Sequence, residues 1–251
     1  MLSKNKIKFI QSLSRKKKRE QEGLFLAEGE KVIGELLASG MRFHSIVSSR
    51  PENFAHWKTD FELIEAEAEA LKKISLLKTP PSAVALVYQK ASRLSDIDLN
   101  SSLVLALNEI QDPGNLGTII RLASWFGIRH LVCDHNTADC YNPKVIQSTM
   151  GAIAHVDVHY TQLADFLLQA KEKGIPLYGT FLDGENIYET PLSNNGVVIM
   201  GNEGKGIAAD LEKLIDRRLF IPSFADAGRV ESLNVSMAAS IICSEFRRRT
   251  I

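Results

Sequence analysis

Cysteine is scarce in this chain. The 251 residues hold three, Cys133, Cys140 and Cys243, an odd number with no CxxC spacing. That argues against a disulfide framework or a zinc module and points to a reducing compartment, so a cytoplasmic location is expected. Long apolar runs are absent too: none approaches the ~20 residues needed to span a bilayer. The basic N-terminus lacks the apolar block and cleavage site of a secretory leader. Net charge is missing, with 30 basic against 30 acidic side chains, so overall balance says nothing about nucleic acid. No internal repeat or low-complexity tract breaks the chain.

Two familiar phosphate fingerprints are also lacking. No GxGxxG follows an apolar strand pattern, which disfavours a dinucleotide site. The Gly-Lys of the 201–206 loop is followed by Gly206 rather than Ser or Thr, and the glycine required upstream is Ile199, so the triphosphate loop pattern fails. His155 and His159 have i,i+4 spacing, but AHVDVHY alternates like a strand and offers no third ligand, so no metal is expected.

Charge is present in a skewed distribution. Lys4, Lys6, Lys8, Arg15, Lys16, Lys17, Lys18 and Arg19 face Glu20 alone within residues 1–20, leaving the remainder acidic. A basic arm on an acidic body suits phosphate contact, and a solvated helix face accounts for it equally well.

Short strand and helix signals alternate along the whole chain. In the first part, Ile7, Phe9, Ile10 and Leu13 form an apolar stripe, and residues 24–26, 45–48, 61–64 and 83–88 read as strands. Helices are expected at 29–39 and 66–74, the latter closed by Thr79-Pro80-Pro81. This gives a small α/β domain over 1–92 and a polar linker at 93–101. A second domain then covers 102–251. There, strands are expected at 103–107, 131–133, 177–181 and from Val197, with helices at 119–126, 143–150 and 162–173. Strand–helix–strand alternation implies a mostly parallel sheet with helices on both faces, and a ligand site off the carboxyl ends of its strands.

Three loops compete for that position: 108–118, 201–206 and 222–232. Arg121, read as lying near the start of its helix, opposes the macrodipole and calls for a compensating anion. Pairing with Asp112 or Glu109 is the plain alternative. Trp125 and Phe126 are expected in a helix core or interface, and Ser232 as the N-cap of the last helix.

The three loops read NEIQDPGNLGTIIRLASWFG (108–127), VVIMGNEGKGI (197–207) and IPSFADAGRVESLNVSMAAS (221–240). In this order and spacing they resemble the motifs of the SpoU/TrmH family of the SPOUT class of RNA methyltransferases, over essentially all of residues 100–251. The segment RKKKREQEGLFLAEGEKVIGELL is similar, over a shorter stretch, to the ribosomal-protein-like substrate-binding domain that precedes many of these enzymes.

The resemblance implies a ribose 2′-O-methyltransferase that uses S-adenosylmethionine, with a deep trefoil knot in the parallel-sheet domain and a homodimeric state. Composition would never suggest the knot, since threaded chains are very rare. By motif match, Asn115, Arg121, Glu203, Ser232 and Asn234 surround the reacting ribose. Thr180, Met200, Gly201, Gly206, Ile221, Ser232 and Leu233 lie against the cofactor, and Arg15, Lys16, Lys17, Lys18 and Arg19 become RNA contacts. Ribosomal RNA is the favoured substrate because of the N-terminal module. Transfer RNA is the alternative, as is a non-catalytic RNA-binding or ribosome-assembly protein on the same fold.

Overall fold

The computed structural model describes residues 2–57, 60–224 and 232–249. Along the chain come α1 (Lys4–Ser12), α2 (Lys16–Glu22), β1 (Leu24–Glu28), α3 (Glu30–Ala38), β2 (Phe43–Ser48), β3 (Glu62–Glu65), α4 (Ala68–Ile74) and β4 (Ala83–Tyr88). There follow β5 (Leu103–Leu107), α5 (Pro113–Trp125), β6 (His130–Cys133), α6 (Pro143–Thr149), β7 (Asp157–Tyr160), α7 (Leu163–Glu172), β8 (Leu177–Asn186), β9 (Gly196–Met200), α8 (Ala209–Glu212), β10 (Arg217–Phe220) and α9 (Val235–Arg248).

These elements form two compact units, and the units are not contiguous in sequence. The first comprises residues 1–91 together with 139–155, the second residues 92–138 and 156–251.

In the first unit the strand order is β1-β4-β2-β3, with β4 antiparallel to both neighbours and β3 parallel to β2. β1 is buried throughout. Alternate residues Leu24, Leu26, Val84 and Leu86 pack with Ile10 and Leu13 before and after the end of α1 and with Leu71 and Ile74 of α4. Phe25 takes the opposite side of the pleat and stacks on Tyr141 at 4.8 Å between ring centroids. Segment 139–155 is held here by polar contacts as well. The Tyr141 hydroxyl accepts from the Lys90 backbone N–H at 2.9 Å, and the Lys90 ammonium donates to the Ala154 carbonyl.

Arg19 corrects one reading of the basic run. Its side chain is only 2% exposed, pairs with Asp139, and donates to the Leu13 and Ser14 carbonyls at 2.9 and 2.8 Å. A guanidinium held this way fixes the α1–α2 turn and is withdrawn from any RNA surface. Removing one partner of a buried ion pair leaves the other charge uncompensated. Asp139→Ala is therefore expected to lower the unfolding free energy by roughly 3 kcal/mol. Urea denaturation would measure this, and an unchanged midpoint would contradict it. Arg15, Lys16 and Lys17 are exposed, while Lys18 is half-buried and pairs with Glu22 at 2.6 Å.

The second unit is built on a six-stranded sheet, β10-β8-β9-β5-β6-β7, in which every pairing is parallel. Its central strands are apolar without alternation, as a sheet covered on both faces requires. On one face Val104, Ala106, Val132 and Ile199 pack against Phe166 and Leu167 of α7 and Leu211 of α8. On the other, Tyr178 meets Phe246 of α9 edge-on at 5.1 Å. α5 packs alongside α9, whose end is tied to α5 by the Arg247 guanidinium donating to the Phe126 carbonyl at 2.8 Å. The Cys243 thiol on α9 is pushed up to about 12 by burial, so it is a protonated packing group. Among the described residues no helix is long and apolar enough to cross a membrane.

Two sequence expectations shift. α5 starts at Pro113, with Asp112 as its N-cap, rather than near residue 119. Arg121 thus lies in the third turn, where the macrodipole argument no longer applies, since the effect fades within the first turn. Trp125 is 83% exposed and so is not core.

Candidate active site

The carboxyl ends of the parallel strands carry the chemistry. From β5 the chain enters 108–112, from β6 134–138, and from β9 201–208. Loop 108–112 ends in a strong helix start. The Asp112 carboxylate accepts from the Asn115 backbone N–H at 2.9 Å, and Pro113 occupies the first turn, where its missing N–H costs nothing.

Asn115 is thereby placed with its amide aimed at two other loops. Its Nδ2 donates to Glu203 Oε1 at 2.7 Å, and its Oδ1 accepts from Asn234 Nδ2 at 3.0 Å. One side chain therefore joins residues 88 and 119 positions away. Asn234 is the N-cap of α9, accepting from the Ser236 backbone N–H. This corrects the expectation that Ser232 caps that helix. Ser232 is exposed, with no hydrogen bond among the described residues.

Arg121 stands outside this cluster. Six residues beyond Asn115 on an α-helix place it about 9 Å along the axis and about 120° around it. It is exposed, and among the described residues it makes no hydrogen bond or ion pair, including with Asp112 or Glu109. Its donors are open to an anion from solution.

The loop after β9 folds back on itself. Asn202 and Gly206 exchange backbone hydrogen bonds at 3.0 and 2.9 Å, and the Asn202 side chain accepts from the Gly204 and Lys205 N–H groups. Gly206 has φ +73°, and a Cβ on Gly201 would come within 2.4 Å of the Gly206 carbonyl carbon. Both glycines are demanded by the turn itself.

The expected cofactor residues Thr180, Met200, Gly201 and Ile221 lie on or just beyond three neighbouring strands, β8, β9 and β10. Thr180 Oγ1 donates to the Ile199 carbonyl at 3.1 Å, Met200 is buried and Ile221 half-buried. Gly206 gives both its backbone groups to Asn202, while the Gly201 backbone and half-buried Ile221 suit an adenosine-bearing cofactor, as a peptide group for a base edge and an apolar surface. Leu233 is 50% exposed, while the middle of the third loop, 225–231, lies outside the described residues.

A second set of polar residues is centred outside the three long motifs. Asp134, at the end of β6, accepts five hydrogen bonds. They come from Asn108 Nδ2 at 2.7 Å, the Glu109 N–H at 2.8 Å, the Asn136 N–H, and the Thr137 N–H and hydroxyl. Asn108 Oδ1 in turn accepts from the Ala208 N–H at 2.8 Å, just before α8. Glu109 is held at φ +56°, uncommon for a non-glycine residue, with its carbonyl accepting from Asn202 Nδ2 and its carboxylate 3.4 Å from the Lys205 ammonium. A polar network thus locks the three loops together. Its only sequence signal is a turn-forming Asp-His-Asn-Thr after a strand, which announces a turn and nothing more. His159 lies on β7 with its ring 3.2 Å from that of His130 on β6.

An open parallel sheet with interlocked loops at its carboxyl edge is the α/β architecture that places a ligand there. The chain belongs to the SpoU rRNA methylase family, whose model matches residues 102–244, and the enzyme is an S-adenosylmethionine-dependent methyltransferase. Residues 4–85 match the MRM3-like substrate-binding domain. The 23S rRNA (guanosine(2553)-2′-O)-methyltransferase RlmP of Bacillus subtilis is 32% identical over 96% of each chain. A TrmH-family protein from Porphyromonas gingivalis superposes with a TM-score of 0.89 and 41% identity over 99% of each chain. An AdoMet-bound rRNA methyltransferase from Sinorhizobium meliloti superposes with a TM-score of 0.87 and 28% identity, covering 100% of this chain and 97% of that one.

Proposed function

We propose that this protein methylates a ribose 2′-hydroxyl in ribosomal RNA. The bridge from Asn115 to Glu203 and Asn234 carries the reading, because it draws side chains from all three loops to one point. Relatedness over nearly the full length to a 23S rRNA enzyme favours ribosomal over transfer RNA.

Bound S-adenosylmethionine supplies an electrophilic methyl group. The task left to the protein is to hold the ribose oxygen in line with it at roughly 3 Å and to stabilise the charge that develops as the hydroxyl loses its proton. Asn115, Glu203, Ser232 and Asn234 position the ribose, with Asn115 fixed at both ends of its amide. Arg121 clamps the neighbouring phosphate and stabilises the developing alkoxide. A guanidinium keeps its proton at neutral pH, so an electrostatic role accounts for Arg121 better than proton abstraction. Thr180, Met200, Gly201, Gly206, Ile221, Ser232 and Leu233 form the cofactor wall.

In this reading residues 1–92 are a ribosomal-protein-like RNA-binding domain, 93–101 a linker and 102–251 the methyltransferase domain with its trefoil knot. Arg15, Lys16, Lys17 and Lys18 contact RNA phosphates. The working form is a cytoplasmic homodimer paired through the C-terminal domain. Exposed Trp125 on α5 and Met237 on α9 support that pairing, being large apolar side chains on two helices that pack together.

Titration calorimetry with S-adenosylmethionine is the test. Saturable binding is expected, and its absence would favour an RNA-binding protein that has kept the fold without the activity.

A further inference from the structure

The first unit carries a cluster that the basic run does not explain. The Arg42 guanidinium lies over the Tyr88 ring at 4.7 Å, and the His44 ring flanks Tyr88 at 6.2 Å, tilted by 58°. The backbone builds this grouping. Tyr88 ends β4, and its N–H donates to the Arg42 carbonyl at 2.9 Å just before β2, so the two side chains meet at one end of the sheet.

All three are accessible in part: Arg42 is exposed, His44 and Tyr88 half-buried. Among the described residues Arg42 makes no ion pair and no side-chain hydrogen bond. The nearby carboxylate of Glu62, opposite Ser45 in the register, is taken by Lys6 at 2.5 Å. His44 uses Nδ1 toward the Ser45 hydroxyl at 3.1 Å. The result is a guanidinium set over an aromatic ring, with its donors open.

Cations lie on the neighbouring helix: Tyr88 pairs with Leu24, two residues past the end of α2, and that helix opens with exposed Lys16 and Lys17 after Arg15. Tyr88 also packs on the cluster that includes Phe9, over whose ring the Lys18 ammonium lies at 6.0 Å.

Planar side chains set among cations are how proteins hold unpaired RNA bases. Aromatic and guanidinium planes stack the base, and neighbouring cations track the backbone. We infer that Arg42, His44 and Tyr88 form a stacking site for an unpaired nucleobase of the substrate RNA. The site rests on the reading of RNA as substrate and adds to it a preference for single-stranded over duplex segments.

The test titrates the full chain with a mixed-sequence single-stranded RNA and with an abasic ribo-oligomer of equal length at the same salt. Arg42→Ala and His44→Ala are each expected to weaken the base-bearing RNA about tenfold and the abasic oligomer no more than about threefold. Tyr88→Phe keeps the ring and is expected to bind as wild type. Melting temperature and S-adenosylmethionine affinity should stay unchanged, since neither Arg42 nor His44 is core. Equal losses on both oligomers, or no loss on either, would overturn the site. Methyl transfer by the wild type is measured in parallel. A protein that stacks RNA through Arg42 yet transfers no methyl would defeat the methyltransferase reading and leave this site standing.

Discussion

Arg121→Lys is expected to lower kcat by roughly 10²–10³-fold, the usual cost of losing one preorganised stabiliser of transition-state charge. Lysine keeps the charge but not the planar fork, so it cannot present two parallel donors to a phosphate. The structure makes this a clean experiment. Arg121 is exposed and makes no hydrogen bond or ion pair among the described residues, so its replacement orphans no buried group there. Melting temperature and cofactor affinity should hold while turnover falls, as single-turnover kinetics with RNA would show. Near-wild-type turnover would remove any scheme that needs the fork, whether as clamp or as base.

Gly201→Ala is expected to raise the Kd for S-adenosylmethionine by at least about tenfold, through loss of backbone geometry rather than of a side-chain contact. The added Cβ would lie 2.4 Å from the Gly206 carbonyl carbon, 2.5 Å from the Ile207 nitrogen and 2.6 Å from the Gly206 oxygen. All three are backbone atoms, so no rotamer change relieves the clash. The loop must open, at the expense of the two Asn202–Gly206 hydrogen bonds, about 1 kcal/mol each. Opening also carries Glu203 away from Asn115. Gly204→Ala is the control, because the nearest atom to its Cβ would be Asn202 Oδ1 at 3.7 Å. Calorimetry that finds the two variants alike would contradict the argument.

Much of this was legible in the sequence for physical reasons. Unbroken apolar runs such as Leu103–Leu107 and Gly196–Met200 announce strands buried on both faces, and those strands stand side by side at the centre of the parallel sheet. Gly201, Gly204 and Gly206 straight after an apolar run mark a loop by composition alone. Contacts between distant residues were not legible. Arg19 looks like its basic neighbours, and only the fold shows that it turns inward to meet Asp139, 120 positions away. That same contact binds segment 139–155 into the first unit, a discontinuity that no local periodicity can reveal. The start of α5 was readable in principle from Asp112-Pro113, a cap followed by an N1 proline, but the glycines at 114 and 117 mask the helical pattern. Asp134 belongs to none of the three long motifs: its three hydrogen bonds from Asn136 and Thr137 make only a local turn, and the two from Asn108 and Glu109 arise once the loops are brought together.

The account stands or falls on where the methyl group goes. Total RNA from a strain deleted for this protein is incubated with the purified enzyme and methyl-labelled S-adenosylmethionine, and the label is mapped by nuclease digestion and mass spectrometry. The expected result is one labelled nucleotide in ribosomal RNA, with the methyl on the ribose 2′-oxygen, and no label with Arg121→Ala. Label on a base, or none in any RNA, would contradict it.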